Sequence, residues 1–384
     1  MFANVKKLCC LTFLLFTVLT APAQNISIPH FESVNTFYGI SSSPYIGANS
    51  VSDLILRFSP SHILYMDLSI NADIQKLLNF FSPVSDYRKP GKFDFLGASV
   101  NFPHIKNNLL SVGVFTGFYD YLGSDSLLQE HIKEKLPEPD FRKRYPASAF
   151  RPQNTVKGTG FTVHGALKSG FYMGLYSYWN EELRENLRIS GDVRFGGNFD
   201  FFSFDFFAGA ALPLKIKQSE FRTGITMLFK ADDYYEFFTE AGVAKISIAD
   251  ISPNLFMSNF YASFEARIKH DKVNTAIACF ISPVFLLPAG INDPALKDSF
   301  FTGLNTMLTF GSLNLYNVEG GFSVLASVNP QKPALITPFS FSISPFIAFK
   351  INKIEFDCRI PINPLMYNNL KQMFTGQISI KAVF

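Results

Sequence analysis

The chain has 384 residues, a formal charge of +3 and 44 phenylalanines against one tryptophan. A charge this close to neutral gives no electrostatic footprint for nucleic acid, and no nucleic-acid partner is expected. Beyond residue 23 no stretch approaches roughly 18 consecutive apolar residues, so spanning helices are excluded and the apolar content has to sit in strands.

In chain order, residues 1–23 read as a cleavable secretory signal peptide. Lys6 and Lys7 supply the positive start, Leu8–Thr20 is an apolar run too short to span a bilayer, and Ala21-Pro22-Ala23 is a small-residue cleavage site. Cys9 and Cys10 sit too early in that run for lipidation and leave with it. Cys279 and Cys358 each fit an apolar-facing strand position and read as two separate thiols.

Residues 24–50 fit two readings, a first strand near Val34–Ile40 or a segment tucked into a barrel lumen. From 51 to 384 the chain reads as strand after strand. The first lie at 52–59, 62–71, 93–102 and 108–121, with a helix-like insert at Ile74–Phe81. Residues 123–157 form the longest excursion. Ser124–Leu136 has helical spacing, Pro137, Pro139, Pro146 and Pro152 discourage regular structure after it, and Arg142, Lys143, Arg144 and Arg151 make the excursion basic. It reads either as a pore-constricting or ligand-catching loop or as a plain solvated surface loop.

The later strands are expected at 158–169, 171–179, 188–198, 201–212, 219–230, 234–246, 255–269, 273–286, 299–311, 314–328, 338–351, 353–362 and 374–384. Several alternate cleanly with the period of a two-faced strand. In 339–350 one face holds Phe339, Phe341, Ile343, Pro345, Ile347 and Phe349, and the other holds three serines, Phe346, Ala348 and Lys350. Pro345 cannot donate to a ladder and is expected to mark a bulge. In 354–360, Ile354, Phe356, Cys358 and Ile360 oppose Glu355, Asp357 and Arg359.

Link lengths alternate. Tight turns fall near Gly170, Asn198–Asp200, Ala231–Asp233, His270–Lys272, Ser312 and Asn352. Longer links lie between them at 123–157, 180–187, 213–218, 247–254, 287–298, 329–337 and 363–373. The last strand, Phe374-Thr-Gly-Gln-Ile-Ser-Ile-Lys-Ala-Val-Phe384, puts Phe374, Gly376, Ile378, Ile380, Ala382 and Phe384 on one face and Thr375, Gln377, Ser379 and Lys381 on the other. This stretch resembles the C-terminal assembly signal of bacterial outer-membrane β-barrels, with Phe374, Ile378, Ile380 and Phe384 as its marks and Gly376 as a departure. The expected fold is all-β, a transmembrane antiparallel up-and-down barrel of about 16 strands, within a range of roughly 14 to 18. Its long links would lie outside and its short turns in the periplasm. The resemblance implies residence in the bacterial outer membrane, contact with its lipid, and assembly through periplasmic chaperones and the barrel-assembly machinery. A homo-oligomer is compatible with it.

If the apolar faces meet lipid, the charges point inward. The candidate lumen-lining residues are Arg188, Asp192, Arg194, Glu236, Glu240, Glu265, Arg267, Lys269, Glu355, Asp357 and Arg359. They suit a water-filled pore or an internal network of ion pairs. Tyr176, Tyr178 and Trp179, and Tyr234, Tyr235, Phe237 and Phe238, read as aromatic girdles at the membrane interfaces. Catalysis is not expected. The histidines are scattered without metal-ligand spacing, no nucleophile-elbow or phosphate-loop motif occurs, and no cofactor or metal is implied. Three functions remain: a channel for small hydrophilic solutes, a transporter of hydrophobic compounds whose N-terminal segment plugs the lumen (similar in architecture only to long-chain fatty-acid transporter barrels), or a surface protein acting through its long loops.

Overall fold

A computed structural model describes residues 26–39, 46–61, 63–74, 92–105, 109–122, 154–167, 170–180, 188–213, 219–247, 259–270, 272–283, 299–330 and 339–382. The signal peptide, the insert after Ile74, the body of the 123–157 excursion and Phe384 lie outside the described residues.

The strands are β1 (Ile26–Gly39), β2 (Ile46–Ser61), β3 (Leu64–Ile74), β4 (Lys92–Ile105), β5 (Leu110–Tyr121) and β6 (Thr155–Ala166). Next come β7 (Phe171–Asn180), β8 (Arg188–Phe199), β9 (Phe202–Pro213), β10 (Glu220–Lys230), β11 (Tyr235–Ser247) and β12 (Phe260–Lys269). The last six are β13 (Val273–Pro283), β14 (Phe300–Ser312), β15 (Val318–Val328), β16 (Phe339–Ile351), β17 (Ile354–Arg359) and β18 (Thr375–Ala382). Each pairs antiparallel with its sequence neighbours and β18 pairs with β1, so the 18-stranded sheet closes into a barrel with no free edge. The count sits at the top of the expected range because 26–39 is a full wall strand, paired on both sides, and does not lie in the lumen.

Period-two alternation builds the wall. On β7, Tyr172, Tyr176 and Tyr178 are at most 3% exposed, while Met173, Leu175 and Trp179 between them are 46–57% exposed. The exposed set around the barrel is dominated by Phe, Leu, Ile and Val, among them Val193, Phe206, Phe264, Ile277, Leu304 and Ile347. The inward set holds the charges, amides and hydroxyls. Both described cysteines are free thiols, Cys279 exposed and Cys358 half-buried.

On one rim the links are short: 62–63, 106–109, 167–170, 200–201, 231–234, 270–272, 313–317 and 352–353. On the other rim every link is longer, from 40–45 to 122–154. Residues in the left-handed region make two of the tight turns, Gly170 at φ 84° and Asn352 at φ 55°. The 313–317 turn holds one helical turn, α1 (Leu313–Tyr316), capped by Ser312, whose Oγ accepts from the Leu315 amide at 3.4 Å. The 360–374 link carries α2 (Leu370–Met373), and Ile362 within it bridges to both Ile343 and Phe374.

Pro345 does not mark a bulge. The β15–β16 register runs through it unbroken, with Phe322 opposite Pro345. Its polar groups face β17, where its carbonyl accepts from the Ile360 amide at 3.1 Å just past the end of that strand. The missing N–H leaves a one-bond gap in that ladder, which resumes in the same register where Ile343 and Ile362 exchange both of their backbone bonds.

Candidate functional site

The longest link, 122–154, leaves the wall at β5 and returns at β6, and both of its ends turn inward. A bulge between Phe118 and Asp120 shifts the register against β6, so that Asp120 faces the interior opposite Val156. The Leu122 amide then donates to the Asn154 carbonyl at 2.8 Å. Leu122 and Val156 are buried with Phe115, Tyr176, Tyr178 and Phe207 in one apolar cluster on the inner wall.

Polar contacts fix that base. The Arg222 guanidinium on β10 donates to the Thr155 carbonyl at 2.9 Å. Asn154 Nδ2 donates to the Tyr261 hydroxyl at 3.0 Å, a contact that reaches from the start of β6 to β12 across the interior. Tyr261 can lie along the wall because the residues beside it are glycines. A Cβ on Gly224 or on Gly242 would sit 2.4 Å from its hydroxyl oxygen.

Two groups of ion pairs surround the base. In the first, Asp192 on β8 reaches over β9 to Arg222. The position between them is Gly209, where a Cβ would lie 1.7 Å from Asp192 Oδ1. Arg222 grips Asp192 with two bonds of 2.8 Å, and the Tyr178 hydroxyl donates to the same carboxylate at 2.9 Å. In the second, Arg194 is wholly buried. Its Nε donates to both oxygens of Asp205 at 2.9 Å and its Nη1 to Asp120 at 3.2 Å, while the Tyr176 hydroxyl also donates to Asp120, at 2.8 Å. Low local dielectric strengthens such bonds and penalises any partner left alone.

The other expected inward residues form two further groups. On β11 and β12, Arg267 bonds Glu265 and lies 3.8 Å from Glu236, Lys269 pairs with Glu236 at 2.5 Å, and Ser263 donates to Glu240 at 3.3 Å. On β17, Arg359 holds Asp357 at 2.8 Å and packs 4.5 Å from the Phe346 ring centroid. Glu355 pairs with Lys350 at 3.3 Å. Arg188 opens β8, and its side chain is outside the described residues.

Sequence reasoning missed Asp120, Asp205 and Arg222, which complete the two central groups. It also placed Tyr176, Tyr178 and Phe238 in outward girdles. All three are buried on the inner face, at 2–3% exposure, and only Trp179, Tyr234, Tyr235 and Phe237 are exposed. The tyrosine hydroxyls explain the inward choice on β7, since each finds a carboxylate there. In the last strand Phe374 and Ile378 are exposed on the outer face, and Ile380 is paired with Ser33 and Phe356. Gly376 lies opposite Phe37, whose Cβ and Cδ2 stand 3.5 and 3.7 Å from where a Cβ on the glycine would be, an ordinary packing contact.

No protein-family model matches the chain, and no curated protein does. Among solved structures it superposes on OccAB2 of Acinetobacter baumannii with a TM-score of 0.51 at 10% identity, over 95% of this chain and 99% of that one. The fold is that of a porin-like outer-membrane β-barrel. A mutant of the Rh. blastica porin gives a TM-score of 0.44 at 8% identity, over 94% of this chain and 100% of that one. The porin-like wall, apolar outside and charged inside, fits a bacterial outer membrane.

Proposed function

We propose that the chain forms a channel for small hydrophilic solutes across the bacterial outer membrane. The observation that carries this reading is the inner face. A closed barrel of 18 strands is wide enough to leave an aqueous passage, and this one lines its interior with charged pairs, amides and hydroxyls. Residues 26–39 stand in the wall, which removes that stretch as a plug and weakens the reading of a hydrophobic-compound transporter. Both ends of the 122–154 link are anchored inside, which supports that link as the element that narrows the passage. Export by cleavage after Ala23 and assembly through the C-terminal strand complete the reading.

The test is planar-bilayer recording with the refolded mature protein, beside the same protein lacking 127–148. Stable unitary conductance, rising when the link is shortened, is the expected result. Silence from both proteins, each shown to be folded by its shift on unheated gels, would overturn the channel and move attention to the surface links.

A further inference from the structure

The barrel is closed by its shortest strands. β17 has 6 residues and β18 has 8, against 13 in β16 and 14 in β1. Backbone bonds do not read sequence, so a short ladder specifies its register weakly. A slip of one residue would turn every side chain of β18 to the wrong face. A slip of two would keep each side chain on its own face, and facing alone does not penalise it. Closure therefore needs a second source of register.

The inner face supplies one. Lys350, Glu355, Lys381 and Glu32 stand directly opposite one another across β16, β17, β18 and β1. Lys350 pairs with Glu355 at 3.3 Å and Lys381 with Glu32 at 3.1 Å. The next residue across, on β2, is Asp53, directly opposite Glu32. The first hairpin thus presents two carboxylates side by side, both buried, at 9% and 5% exposure. Lys381 is the cation that the last strand brings to them. A two-residue slip moves Lys381 opposite either His30 or Val34 and sets Glu32 opposite Ser379 or Val383. The acidic pair then faces no charge on β18, and Lys381 meets a neutral neighbour on β1.

We propose that this four-strand ladder of alternating charge sets the register in which the last strand docks on the first hairpin. It acts in assembly and is independent of what crosses the barrel.

Register can be read directly by disulfide trapping in a C279S/C358S background. Asn35 lies opposite Ile378, so N35C with I378C reports native closure. N35C with I380C, and S33C with I378C, report the two slipped registers. The native pair is expected to dominate in the otherwise unchanged chain. With E32K, native cross-linking should fall at least three-fold. The loss should appear in a slipped pair or as a matching loss of folded barrel. Reversing all four charges (E32K, K350E, E355K and K381E together) should restore native cross-linking to within two-fold. Native cross-linking that is unchanged by E32K would overturn the proposal, and so would a four-fold reversal that fails to restore it. The reversal keeps the test decisive even if E32K alone does not fold.

Discussion

Arg194 is the residue on which the inner network turns. It serves two carboxylates, Asp205 and Asp120, from a position with no solvent access. Removing it leaves both acids buried without their cation, which costs about 3–5 kcal/mol. Arg194→Met should lower the stability of the refolded barrel by that amount in urea titrations. Trp179, the one tryptophan, provides a fluorescence signal on the neighbouring strand. Tyr176→Phe removes one hydroxyl from Asp120 and should cost less, about 1–3 kcal/mol. An Arg194→Met midpoint equal to that of the parent chain would show the network to be energetically idle. Two of the five charged residues of this network were legible in the sequence. Asp192 and Arg194 alternate with apolar neighbours and declare their face. Asp205 is hidden inside the run Phe202-Ser-Phe-Asp-Phe-Phe, where the apolar set is so dense that a single acid reads as noise. Asp120 is displaced by a bulge, and counting by twos cannot pass through an extra residue. Arg222 acts on an acid two strands away, and only Gly209 allows that reach; no local pattern records it.

At the scale of elements, alternation was the readable signal and irregularity the unreadable one. β16 and β17 stand where their alternation placed them, while β1 sets Ser33 and Asn35 on the face of Phe31 and Phe37 and sets Val34 on the face of Glu32, which breaks its apolar alternation. This is why residues 24–50 left two readings open, and why the expected strand number was lower than the number observed. Outward positions have their own test. Val193 is 46% exposed in the middle of β8, so Val193→Arg places a charge against the bilayer interior. That costs about 2–4 kcal/mol near the midplane. Folding into lipid vesicles, followed on unheated gels, should require correspondingly milder denaturant than for the parent chain, and an unchanged transition would contradict the assignment of faces. Inward, Gly224→Val would press a side chain against the Tyr261 hydroxyl and the Phe207 ring, at 2.4 and 2.6 Å from the first added carbon. Tyr261 must then move, and with it the bond from Asn154. Limited proteolysis of the intact barrel should cut the 122–154 link several-fold faster in this variant. Equal rates would mean that Tyr261 does not hold the link.

For the whole molecule the sorting of links decides orientation. The strand number is even, so β1 begins and β18 ends on the rim of short turns. If the apolar N-terminal run is a cleaved export signal, as proposed, the chain enters the membrane from the periplasm, and that rim is expected inside with the long links on the cell surface. Two described and exposed positions separate the alternatives. Tyr367, in the 360–374 link, is 69% exposed, and Asp233 lies exposed in the 231–234 turn. In a C279S/C358S background expressed in cells, Tyr367→Cys should react with a membrane-impermeant maleimide while the cells are intact. Asp233→Cys should react only after the outer membrane is opened. The reverse pattern would invert the barrel and place the anchored 122–154 link on the periplasmic side. Labelling of both in intact cells would remove the chain from a sealed membrane altogether. The orientation matters for the proposed channel, because a solute entering it from outside would meet the rim of long links first. On that side it would reach the base of the longest link, with Arg222, Asp192 and Tyr178 beside it, before the lysine-bearing strand ends of the opposite rim.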